Sequence, residues 1–148
     1  MVDALSDAEM ILDELGHQVF HEDGELSIPL SGTSRQVKIS AKNDLVFFDC
    51  QVAVVRNFQL AILQSGEIYV AMLASNRVIR PVAFSIDPEP AGSDDPLDIP
   101  IILTTAVPSS ALKIPSRIDR IREIMDAFKK GIERADTILS EYCSRGDA

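Results

Sequence analysis

The fold is decided by residues 114–143, IPSRIDRIREIMDAFKKGIERADTILSEYC. The apolar residues in this stretch fall at Ile118, Ile121, Ile124, Met125, Phe128, Ile132, Ala135, Ile138, Leu139 and Tyr142. Steps of three and four sustained for about seven turns are the period of a helix with one apolar face. Pro115 disfavours helical geometry at the residue before it, and Ser116 with Asp119 takes the Ser-x-x-Asp form of a capping box. A helix cannot cover its own stripe. Ile118, Ile121, Met125, Phe128, Ile132 and Leu139 are therefore expected to lie across a sheet or a partner.

Outward from that helix, the chain supplies a sheet. Near the start, Ser6-Asp7-Ala8-Glu9 has the form of a capping box, with Leu5 and Met10 placed as a hydrophobic staple. The helix it opens runs through Ile11, Leu12 and Leu15, and Gly16 is placed to end it in the left-handed cap position. Asp23-Gly24 predicts a turn before Leu26, Ile28 and Leu30, which alternate as a strand does. Pro29 removes a ladder donor, which points to an edge position for that strand. Val37 and Ile39 alternate in a second strand, Lys42-Asn43-Asp44 is a turn, and Leu45 to Val55 is a longer apolar strand.

The middle of the chain mixes two periods. Phe58, Leu60 and Ile62 alternate, whereas Ile68, Met72, Leu73, Asn76 and Ile79 recur at helical spacing. This predicts a helix over about 67–77, with residues 57–65 either extending the third strand or starting the helix early. Gly66 is the natural break between the two. Residues 80–86 read as a fourth strand and 87–98, with three prolines and five acids, as an exposed loop. Ile99 to Val107 reads as a fifth strand, and residues 144–148 as a frayed tail. The expected fold is α+β, an antiparallel sheet with helices in the order α-β-β-β-α-β-β-α, forming one domain of 148 residues.

The net charge of −9 is unevenly spread. Residues 1–34 hold eight acids and no Lys or Arg, and residues 81–112 hold five acids and no base. Such a surface repels nucleic-acid phosphates and anionic lipid, so neither nucleic acid nor membrane is an expected partner. Lys129 and Lys130 are flanked by Asp126, Glu133 and Arg134, which makes a solvated helix face. The N-terminus is acidic rather than basic, unlike a secretory leader. Cys50 and Cys143 are read as reduced thiols of a cytoplasmic protein rather than one disulfide of an exported one.

The order of elements and three short motifs resemble a known family. Asp23-Gly24-Glu25-Leu26 leads into a strand, Met72-Leu73-Ala74-Ser75-Asn76 ends the middle helix, and Phe84-Ser85-Ile86-Asp87-Pro88 closes a strand on an acidic turn. Together they resemble the class I type III secretion chaperone fold, which is shared by YbjN-like domains. Residues 57–65 are additional length relative to that pattern. The resemblance implies a small acidic homodimer that binds a protein segment and catalyses nothing. It implies further that the middle helix contributes to the dimer, with Ile68, Val70, Met72 and Leu73 as candidate contacts. The YbjN-like branch implies a regulatory role instead, through transient protein contacts or a small ligand.

Catalytic patterns are weak. His17 and His21 precede Glu22 and Asp23, but Gly16 is expected to end the helix that would have put both imidazoles on one face. On a strand, residues four apart stand about 13 Å from each other, too far to chelate one ion. Cys50 lies in an apolar strand, as an inert buried thiol does. No Gly-x-Ser-x-Gly, phosphate-binding glycine loop or His-Glu-x-x-His motif occurs. The acidic loop lacks the ligand spacing of an EF-hand. The expectation is a non-enzyme with no metal and no cofactor.

Overall fold

The computed structural model describes residues 4–30, 35–55, 65–86 and 99–146, with side chains placed for 4–30, 35–52, 70–85 and 101–141. The elements are α1 (Ala4–Glu14), β1 (Phe20–Glu22), β2 (Glu25–Pro29), β3 (Gln36–Lys42) and β4 (Leu45–Val55). They are followed by α2 (Ser65–Ser75), β5 (Ala83–Ile86), β6 (Ile99–Pro108), a 3-10 turn (Ser109–Lys113) and α3 (Arg117–Gly146). The described strands form one open antiparallel sheet in the order β1-β2-β3-β4-β6-β5. The fold is α+β, with one strand more than the spacing predicts. That strand, β1, is three residues long with every residue exposed to solvent in part, too short to show an alternation.

Turn chemistry sets the register of the sheet. Asp23 and Gly24 have φ of 49° and 80°, and Asn43 and Asp44 have φ of 54° and 64°. Two consecutive positive φ values define the tight hairpin turn whose twist matches paired strands, and Asn, Asp and Gly are the residues that tolerate it. The first turn pairs Glu22 with Glu25, and the second pairs Lys42 with Leu45. Pro29 is not on the sheet edge, because β2 lies between β1 and β3. It extends beyond the end of β1, whose pairing stops at Phe20 with Ser27, so no ladder donor is missed on that side.

The first helix ends as expected but begins earlier than its Ser6 box. It already runs from Ala4, and Met10 is 66% exposed rather than stapled. Its C-terminus is a Schellman cap: the His17 N–H donates to the Leu12 carbonyl, the Gly16 N–H donates to that of Asp13, and Gly16 has φ of 87°.

The middle helix begins and ends two residues before the expected 67–77. Asn76 leaves the helix because its side chain is used elsewhere: Oδ1 accepts the backbone N–H of Phe84 at 2.7 Å. The fourth strand starts at Ala83 rather than Arg80. Pro81 has no N–H to give a ladder, and the Val82 N–H turns back to the Ile79 carbonyl. Most of the 57–65 segment and the acidic loop 87–98 lie outside the described residues. The last helix continues through Gly146, so residues 144–146 are helical.

The chain divides into two compact units, Met1–Cys50 with Thr104–Asp126, and Gln51–Leu103 with Ala127–Ala148. In the first, Ile11 and Leu12 of α1, Leu26 and Ile28 of β2, Ile39 of β3, Phe48 of β4 and Ile121 of α3 are buried. In the second, Met72, Ile79, Val82, Phe84, Ile101, Leu103, Phe128 and Ile132 are buried. There α3 lies close on the sheet. A Cβ added at Gly131 would stand 2.6 Å from Leu103 Cδ1, so glycine is what permits the approach.

Candidate interaction surface

The second unit carries an apolar surface on α2. Its sequence, SGEIYVAMLAS, is apolar on nearly every side, which offers no single face for burial. Met72 points into the core at 2% exposure, whereas Val70 and Leu73 are 66% and 62% exposed. Ala74 and Arg77 are exposed with them. Within the helix, residues 70, 73 and 74 follow the i, i+3, i+4 rule and so form one stripe, and Arg77 lies in the turn beyond. Of the candidate dimer contacts, Val70 and Leu73 are on the surface and Met72 is in the core. The side chain of Ile68 lies outside the described ones. Val78, not singled out in the sequence, is 66% exposed in the turn beyond.

Two polar contacts fasten the C-terminal end of this helix. The buried Ser75 hydroxyl donates to the Ala71 carbonyl at 2.8 Å and accepts from Arg134 Nε of α3 at 2.9 Å. The Asn76–Phe84 bond holds the next residue to β5. Arg134 gives no signal in the sequence, where it is one more charge on the outer face of α3.

The first unit carries a second exposed feature, the edge strand β1. Phe20 is 49% exposed and sits directly opposite Ser27 of β2. Opposed residues share a face, so Phe20 lies on the same face as Ser27 and Lys38, which is paired to Ser27. Ser27 is buried and donates to Gln36 Oε1 on β3. Further along that face, Thr104 Oγ1 donates to Asp49 Oδ1. His21 points to the opposite face, and its Nε2 lies 2.7 Å from Glu9 Oε2 of α1.

The groups tested for catalysis do not assemble. Among the described residues no cluster of three His, Cys, Asp or Glu side chains could hold a metal ion. His21 is paired with Glu9 through its Nε2. Cys50 is buried, and loss of hydration pushes its thiol from 9.0 up to about 11, against a lowering by the Arg35 charge. A thiol this far from ionising is a poor nucleophile at neutral pH. The side chain of Cys143 lies outside the described ones. No helix among the described residues is long and apolar enough to cross a membrane.

No protein-family model and no curated protein matches the chain. Solved structures do match its fold. YbjN from E. coli, a proposed transcription regulator, aligns at 17% identity over 93% of this chain and 94% of its own, with TM-score 0.58. The heterodimeric ExoU–SpcU complex of the type III secretion system of Pseudomonas aeruginosa aligns at 15% identity, over 87% of this chain and 94% of the matched chain, with TM-score 0.60. An uncharacterized protein from Methanothermobacter thermautotrophicus aligns at 14% identity over 95% and 99%, with TM-score 0.56. The chain therefore has the YbjN-like, type III secretion chaperone-like fold. At these identities the likeness concerns the fold.

Proposed function

We propose that the chain is a non-catalytic protein-interaction module, a cytoplasmic chaperone or adaptor that forms a homodimer and holds a segment of one client protein. The observation that carries this reading is the exposed apolar stripe of α2, with Val70 and Leu73 side by side. An adjoining group of exposed aliphatic side chains on a soluble protein marks a contact surface. A second copy can cover this stripe with its own. In two antiparallel α2 helices related by a two-fold axis, Val70 of one copy meets Ala74 of the other. The client is taken at β1, where the outer edge adds a strand and Phe20 supplies an apolar contact. The fold likeness to a heterodimeric secretion-system complex supports protein binding. The whole chain, 1–148, is taken as one functional domain.

A second reading is favoured by the likeness to YbjN: a regulatory domain that acts through transient contacts or a small ligand. The two separate in a pull-down of the tagged chain from its native host. One stoichiometric partner that is lost when Phe20→Glu is introduced supports the chaperone reading. A bait that retains no partner overturns it and leaves the regulatory one.

A further inference from the structure

The docking stripe of α2 lies on a helix whose last turn is tied to the rest of its unit by named side chains. Met72 enters the core, Ser75 is 2% exposed, and Asn76 is bonded to β5. Arg134 reaches this end from α3, donating its Nε–H to Ser75 Oγ at 2.9 Å. Two features make the arginine more than filling. It is itself exposed, and its neighbours Lys130, Glu133 and Thr137 are exposed as well. Nor does Ser75 need it to place a proton, since the hydroxyl already donates to Ala71. What Arg134 adds is direction and charge. Its Nε–H is fixed in the plane of the guanidinium. Its positive charge stands beside the last turn of α2, where the aligned carbonyls leave the negative end of the helix dipole.

We infer that Arg134 is a positioning residue for the α2 face, holding the last turn of that helix so that Val70 and Leu73 are presented in one orientation. The inference rests on the reading that this face binds a second copy. Without Arg134, Met72 still anchors α2 to the core, but the end of the helix loses its tie to α3. Association must then order the helix as well as bury it, and that ordering is subtracted from affinity.

The test compares the full chain with Arg134→Ala, Arg134→Lys, Ser75→Ala and the Ala/Ala double variant. Sedimentation gives the dimer constant, hydrogen exchange follows the α2 amides, and thermal melting reports the fold. Arg134→Ala is expected to weaken the dimer about tenfold, the scale of one lost charge-assisted hydrogen bond. The α2 amides should exchange faster while the melting temperature holds. Arg134→Lys keeps the charge without the fixed Nε–H and should fall between. Ser75→Ala added to Arg134→Ala should bring no further loss, because both remove the same contact.

A wild-type dimer constant with wild-type exchange in Arg134→Ala overturns the inference. So does a loss of affinity that only follows a matching fall in melting temperature, since that is a structural role. If the wild type proves monomeric, the homodimer reading fails on its own, and exchange still decides. Faster exchange confined to α2 in Arg134→Ala supports the anchor, and unchanged exchange overturns it.

Discussion

In α3 the apolar residues share one face: Ile121, Ile124, Met125, Phe128, Ile132, Ala135 and Ile138 are buried, while Lys129, Lys130 and Glu133 stand exposed. Ile118 and Leu139 of the same stripe are half-buried. In α2 the apolar residues run nearly all round the helix, and the fold buries Met72 while leaving Val70 and Leu73 in water. A one-faced helix states its own orientation, because the polar face can only go outward. A helix apolar on every side does not. Its exposed side is set by what the tertiary fold leaves uncovered, and that side is where a partner gains most.

The contrast breaks most easily by placing the same charge on each helix. Phe128→Asp puts an unpaired carboxylate where the native side chain is fully buried. It is expected to cost more than about 4 kcal/mol and leave the chain unfolded by circular dichroism. A variant that melts like the wild type would mean that the stripe of α3 is not core. Leu73→Asp is its counterpart on α2, and its expected effect on stability is the smallest of the set.

Between these extremes, Cys50 measures burial in the sheet through pH. Its folded thiol titrates at about 11 against an ordinary 9.0, so the native state holds the proton more tightly. Stability from this group is complete below pH 9.0 and is lost as pH rises towards 11, by up to about 2–3 kcal/mol. Urea midpoints across that range should fall more for the wild type than for Cys50→Ala. A thiol reagent should leave Cys50 unmodified at neutral pH in the folded chain, and rapid labelling there would place it outside the core.

Gly131→Ala sharpens the packing side of α3. The added methyl meets Leu103 Cδ1 at 2.6 Å and Cδ2 at 2.9 Å. Overpacking costs about 1–3 kcal/mol, offset by about 1 kcal/mol of helix propensity, so a net loss of up to about 2 kcal/mol is expected in chemical denaturation. A gain in stability would show that Leu103 swings aside freely. Leu73→Asp should then change stability by no more than about 0.5 kcal/mol, as surface substitutions do, while abolishing self-association. A large loss of stability in that variant would return Leu73 to the core and remove the contrast.

The sequence revealed the elements that carry a period or a turn code. The stripe from Ile118 to Leu139, the Asp23-Gly24 and Asn43-Asp44 turns and the Gly16 cap are each local chemistry with one structural solution. The signals that failed were short or tertiary. The strand Phe20–Glu22 has three residues, too few for an alternation, and its exposure depends on β2 having no longer neighbour. The C-terminal limit of α2 was displaced because Asn76 spends its side chain on Phe84, a partner eight residues away. Val70, Met72 and Leu73 entered as one group through the family resemblance, and the periodicity of an all-apolar helix could not divide them. Arg134 was invisible because its partner, Ser75, is 59 residues distant.

The most direct test of a docking face on α2 is sedimentation equilibrium of the wild type beside Leu73→Asp, with thermal melting of both. The account predicts a wild-type dimer and a folded, monomeric variant with an unchanged melting temperature. A wild type that stays monomeric at the highest attainable concentration, or a variant that still dimerises, would contradict it.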